Sequence, residues 1–149
     1  MSIAWKYLDK KAAATDALKD FSIMEFILKC HPAELEEARE EMINYRSSVT
    51  DGLPKAKDPH GGEARLAACI DEIDVLRERY RQALEFMEWF RPAWDELSND
   101  ERFVLTEYYC TETDAIDSIS RYFSIERTSA YKRKNRALAR LTVFLYGKN

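Results

Sequence analysis

Residues 114–141 read DAIDSISRYFSIERTSAYKRKNRALARL, and this stretch decides the fold. Ile116, Ile119 and Phe123 recur at three- and four-residue steps, the spacing of one helix face. A tight break follows at Ser124-Ile125, and a second segment is loaded with Arg and Lys. From Arg127 onward the charged residues are Arg127, Lys132, Arg133, Lys134, Arg136, Arg140 and Lys148, with no acid among them. Ala130, Ala137, Leu138, Leu141 and Leu145 supply an inner face for the second segment. Two helices joined by a tight turn are predicted, the second over residues 127–146 with a face suited to phosphate.

Working upstream, WDELSNDERFVLTEYY (94–109) opens the same module. Ser98 to Glu101 matches the S-x-x-E capping box, in which each side chain satisfies an orphan backbone N–H. The helix it starts carries Phe103, Val104, Leu105 and Tyr108 toward a small core. Thr113 or Asp114 is placed to cap the next helix, Ser120 is small enough for close helix approach, and Ile125 fills a pocket under the turn.

The charge is unevenly distributed. Lys and Arg total 23 and acids 27, for a net charge of −4. Setting aside the seven C-terminal cations leaves 16 against 27 acids, a net −11 before Arg127. An acidic body in front of a +7 end points to a nucleic-acid partner at one face, because the body repels phosphate elsewhere.

The 149 residues suffice for one domain, or for a small domain with a helical extension, and only four Gly and four Pro favour long helices. Residues 3–29 read as a helix through Trp5, Leu8, Ala12, Leu18, Phe21, Met24 and Leu28. His31-Pro32 is expected to interrupt it, with Pro32 opening a new helix, AELEEAREEMINYR, that carries Leu35, Ala38, Met42 and Tyr45 inward. Glu36, Glu37, Glu40 and Glu41 read as a solvated acidic face. Residues 47–62, SSVTDGLPKAKDPHGG, hold three of the four glycines and two of the four prolines and read as a loop. A long helix is expected from Glu63 to Arg91, with Leu66, Ile70, Ile73, Leu76 or Arg77, Tyr80, Leu84, Met87 and Phe90 in its stripe and Pro92 ending it. That stripe suits an antiparallel hairpin or coiled coil, and equally a dimer surface.

The fold class expected is therefore all-α: a long helical hairpin or coiled coil in an acidic region, 1–92, then a helix-turn-helix module, 93–149.

Little supports catalysis. Cys30, Cys69 and Cys110 are widely spaced and read as buried free thiols, with neither a zinc site nor a disulfide framework; a reducing cytoplasm follows. His60 sits between Pro59 and Gly61 in the loop, and Ser47, Ser48 and Thr50 have no companion base. The paired glycines Gly61 and Gly62 precede no GK[ST], so no phosphate loop forms. MSIAWKYLDKK lacks the apolar core of a signal peptide, and no apolar run is long enough to span a membrane. No enzyme, cofactor, metal or membrane role is expected.

LSNDERFVLTEYY, then ISRYFSIERTSAYKRKNRALARL, resembles region 4 of bacterial sigma factors and the sigma-like C-terminal modules of phage regulators. The resemblance covers roughly the last third of the chain and is most specific over Arg136-Ala137-Leu138 to Leu141. MEFILKCHPAELEEAREEM and SSVTDGLPK loosely resemble the acidic helical parts of the RinA and ArpU group of phage transcriptional activators. Departures fall at Ser124, in place of the turn glycine; at Glu126, in place of the Ser or Thr cap; and at Lys134, in place of an apolar inward residue.

These readings together imply a sequence-specific duplex-DNA-binding transcriptional regulator, phage- or prophage-encoded. Arg127, Thr128, Tyr131 and Lys132 are expected at base edges in the major groove, Arg127 bidentate on guanine. Arg121, Ser129, Arg133 and Arg136 are expected at phosphates, whereas Arg140 and Lys148 are read as solvated. A homodimer through the long helices is a further expectation. The alternatives are a protein-interaction module for RNA polymerase or another regulator, and a phage DNA-packaging recognition subunit.

Overall fold

A computed structural model describes residues 7–50, 61–111 and 114–148. Trp5, His60, Thr113 and the middle of the expected loop, 51–60, lie outside the described residues, as do the side chains of Tyr45, Arg46, Ser47, Ser48 and Thr50. The described chain is all-α: α1 (Lys10–Thr50), α2 (Gly61–Asp95), α3 (Asn99–Cys110), α4 (Ala115–Phe123) and α5 (Arg127–Tyr146).

Two expected helix ends are absent. Pro32 lies inside α1 and Pro92 inside α2. Each proline lacks an N–H and leaves a carbonyl one turn back without its helical donor. Both are exposed, so water can satisfy that carbonyl. The compensating force is visible in the register of α1. Ala14, Ala17, Phe21, Met24, Leu28, His31, Leu35, Ala38 and Met42 are all buried or half-buried and step by three and four without a skip. That is a heptad seam running through the proline, so packing on both sides outweighs the local preference. Residues 7–9, expected within the helix, precede α1 instead, and residues 3–6 lie outside the described ones. Asp9 accepts the Ala12 N–H at 3.1 Å, and its carbonyl takes Ala13 N–H at 2.9 Å. Helix further occupies 47–50 and 61–62, which were expected to be loop.

In α2 the seam is again a heptad. Leu66, Cys69, Ile73, Leu76, Tyr80, Ala83, Met87 and Phe90 are buried or half-buried, whereas Ile70 is 43% and Leu84 41% exposed. The expected stripe was one residue off at both of those places. Away from the seam, Arg81 donates to Glu78 at 2.7 Å and to Glu85 at 2.9 Å, an exposed i,i+3 and i,i+4 staple. The Arg81 guanidinium, helped by the Gln82 amide, holds the Glu78 carboxyl down to about 2.

Contacts divide the chain into two compact units. The first joins the chain up to Met24 with the chain from Phe86 onward; the second is Glu25–Glu85. This differs from the division expected at residue 92, because the start of α1 packs with the C-terminal helices. In the first unit Ala14, Ala17 and Leu18 share a core with Phe90, Ala93, Leu97, Leu105, Ala137, Leu138, Leu141 and Leu145. A smaller core beside it takes Val104, Ile116, Ile119 and Ala130, with Phe103, Tyr108, Phe123 and Ile125 packed against it. Adjacent residues Val104 and Leu105 thus serve different cores of the same unit.

In the second unit α1 and α2 run antiparallel. His31 stacks on Tyr80 at 4.1 Å, Glu34 lies 3.9 Å from Arg79, and Ala38 packs with Ile73 and Leu76. The cysteines are free but none is buried: Cys30 and Cys69 are half-buried and Cys110 is exposed. Each follows α-helical placement rather than thiol preference, since Cys69 is at the seam and Cys110 ends α3. The Cys110 Sγ faces the Leu18 carbonyl at 3.8 Å, and the partial burial there pushes its pKa up.

Candidate nucleic-acid interface

α3, α4 and α5 form the part of the first unit that carries the residues expected at nucleic acid. Ser98 caps α3 by accepting the Glu101 N–H at 3.2 Å. The capping box is only half made, because the Glu101 carboxylate turns away to Arg140 on α5, Nη1 to Oε1 2.6 Å. Glu101 Oε2 is buried with no hydrogen-bond partner. Arg140, read from sequence as solvated, therefore ties α5 to the start of α3.

The link between α4 and α5 is a Schellman turn. Ser124 adopts the left-handed conformation, φ 53° and ψ 48°. Its N–H bonds to the Arg121 carbonyl at 3.4 Å, and the Ile125 N–H to the Ser120 carbonyl at 3.0 Å. These are the two reverse bonds of the motif, and the half-buried Ile125 is its accompanying apolar contact. A side chain in this backbone region costs roughly 1–2 kcal/mol, part of which glycine returns as unfolded-chain entropy. Ser124→Gly is thus expected to raise stability by roughly 0.5–1 kcal/mol in urea unfolding; equal or lower stability would show the turn unstrained.

Asp114 and Glu126 occupy the N-cap positions of α4 and α5, but neither side chain makes a capping bond. The Glu126 carbonyl accepts the Ala130 N–H at 2.9 Å. At the far end of α5 Gly147 has φ 79°, a conformation open to glycine, and its N–H returns to the Val143 carbonyl at 2.8 Å.

The first turns of α5 sort by face. Ala130, Ala137, Leu138, Leu141 and Leu145 are buried. At 3.6 residues per turn Thr128, Lys132 and Arg136 fall on the opposite side, and all three are exposed. Arg127, Ser129, Tyr131 and Arg133 are exposed as well, as is Arg121 in the last turn of α4. All eight residues expected at DNA are thus on the surface, seven of them within the first three turns of α5.

Their surroundings differ, and the sequence reading missed this. Arg127 Nη1 is paired with Asp117 Oδ1 of α4 at 2.8 Å. Arg133 lies over the Phe123 ring at 4.2 Å, an arrangement that fixes its stem against α4. Lys134 takes the place expected for an apolar residue by laying its ammonium 4.4 Å from the Tyr108 ring and 5.9 Å from the Tyr131 ring. Desolvation there, with the Lys11 charge adding to it, draws the Lys134 pKa down. Asn135 had no assigned role, yet it is exposed one turn beyond Tyr131, and its amide is suited to an adenine edge.

The second unit offers the opposite sign. Glu34, Glu37, Glu41 and Glu72, with Arg79, line a shallow groove of about 250 Å³. Among the described residues no cluster of His, Cys, Asp or Glu is arranged to hold a metal, and no helix is long and apolar enough to cross a membrane. Comparison with protein-family models, with curated proteins and with solved structures finds no match to the chain.

Proposed function

We propose that α4, the Ser124 turn and α5 form a helix-turn-helix, and that the chain is a sequence-specific duplex-DNA-binding regulator of transcription. One observation carries this reading: the outward face of α5 holds Thr128, Lys132 and Arg136 with Arg133 beside them and Arg127 exposed at the first residue of the helix, while its inward face is apolar. A helix of that section, exposed along one side, fits the width of a major groove. The residues at its start meet base edges and those further on meet phosphates. Arg127, Thr128, Tyr131 and Lys132 are assigned to bases, with Asn135 added; Arg121, Ser129, Arg133 and Arg136 are assigned to phosphate.

Selection of bound sequences from random duplex by the full chain tests the reading. Arg127→Ala should relax preference at one base pair by roughly five- to a hundredfold, the discrimination expected of a bidentate arginine. Arg136→Ala should weaken all sequences alike. A chain that enriches no sequence from the pool would refute specific recognition.

A further inference from the structure

The Arg127–Asp117 pair bridges ten residues of chain across the α4–α5 turn, and only one guanidinium nitrogen takes part. The bond runs from Nη1 to a single carboxylate oxygen. Among the described residues nothing else bonds to Nη2 or Nε, which form an open edge of the planar fork. That edge is one of the two by which arginine donates two parallel hydrogen bonds, and guanine O6 and N7 are a matching pair of acceptors. The Arg127 side chain keeps 63% of its surface exposed, so the remaining edge is accessible.

Arg127 is also the first residue of α5, where the helix dipole is positive and repels a cation. The Glu126 side chain makes no capping bond and no acid lies within the first turn of α5. Asp117, from the first turn of α4, is the carboxylate that pairs with Arg127. An arginine left free at this place has several open torsions; anchored through one nitrogen, it presents its other edge in a restricted direction. Ordering a long side chain before binding lowers the entropy lost on contact.

We infer that Asp117 is a positioning residue for base recognition: it orients Arg127 so that the Nη2–Nε edge reads a guanine in the major groove. The inference rests on the assignment of Arg127 to a base edge. A carboxylate close to DNA carries a cost, since it repels phosphate, so it should raise selectivity while lowering affinity for duplex in general.

The test compares the intact chain with Asp117→Ala, Arg127→Ala and the double variant, each measured on the selected duplex and on the same duplex with the Arg127-dependent guanine replaced. For Asp117→Ala the ratio between the two duplexes should fall roughly fivefold or more, while binding to the replaced duplex is unchanged or tighter. In the Arg127→Ala background Asp117→Ala should change the ratio no further. Asp117→Asn, which keeps one acceptor oxygen, should retain part of the preference.

A purely structural role for Asp117 would weaken both duplexes alike and overturn the inference. Unchanged preference with tighter binding to both would also overturn it, making the carboxylate only a competitor for Arg127. If the intact chain binds no duplex, or no base pair depends on Arg127, the underlying DNA reading or the Arg127 assignment fails instead.

Discussion

Phe90→Ala is expected to destabilise the first unit by about 3–5 kcal/mol, the range for removing a large ring from a packed core. Phe90 is fully buried. Its ring meets those of Phe21 at 4.8 Å, Phe86 at 5.3 Å and Trp94 at 5.9 Å, and Phe21 in turn meets Trp94 at 5.3 Å. The same core takes Leu138 and Leu141 from the inward face of α5. Truncation leaves a cavity where the start of α1, the end of α2 and α5 meet, and no small shift of one helix can fill it from three sides. Domains of this size hold roughly 5–15 kcal/mol in total, so the loss is a large share. Urea unfolding followed by tryptophan fluorescence, to which Trp89 and Trp94 contribute, reads the first unit. A loss below about 1 kcal/mol would mean that the ring cluster relaxes around the gap. Duplex binding by Phe90→Ala should survive wherever the unit is still folded, because none of the residues proposed to meet DNA belongs to the core that holds Phe90.

The all-α class was legible because few glycines and prolines interrupt regular apolar spacing. In the C-terminal helices short-range periodicity was enough: Ile116, Ile119, Ala130, Ala137, Leu138, Leu141 and Leu145 were expected inward and are buried. The long helices were harder to read. Pro32 and Pro92 obey a local rule, and a local reading ends a helix at each. The force that carries α1 through Pro32 is non-local, since His31 stacks on Tyr80 nearly fifty residues away in sequence. A heptad seam was present in the letters, and Ala38, between Leu35 and Met42, was expected inward and is buried. Ala14, Ala17 and Ala83 are small and weakly hydrophobic, so the larger Leu84 stood out beside Ala83 as Ile70 did beside Cys69. The alanines are buried because they let two helix backbones approach, a property of the pair rather than of either sequence.

For the candidate site, exposure followed from the same periodicity, and the left-handed Ser124 was anticipated from the place where glycine is usual. What each side chain touches was not legible. Asp117 and Arg127 become neighbours only after the turn reverses the chain, and Glu101 meets Arg140 across 39 residues. The capping-box pattern at Ser98–Glu101 was half right for that reason: a distant arginine won the carboxylate. Lys134 was misfit by type, but its four-carbon stem and ammonium suit the faces of Tyr108 and Tyr131, which a hydrophobicity pattern does not register.

Affinity for duplex is expected to fall roughly fortyfold between 50 and 200 mM monovalent salt, if about three cations neutralise phosphates. Arg121, Arg133 and Arg136 are the exposed cations assigned to phosphate. Each phosphate contact releases condensed counterions, which gives a log–log slope near −0.9 per contact, or roughly −2.7 for three. Arg127 should contribute less to the slope, because its charge is already compensated by Asp117. Lys134 should contribute less again, since its ammonium lies against the Tyr108 ring. Removing Arg136 should make the slope about one unit shallower, with little change in which sequence is preferred. Arg127→Ala should do the reverse, changing preference and leaving the slope nearly intact. Titrations of the intact chain and both variants at four or more salt concentrations separate these outcomes. Salt-independent binding would mean that the basic face of α5 does not meet the phosphate backbone, and equal slope changes for Arg127 and Arg136 would remove the division between base and phosphate contacts.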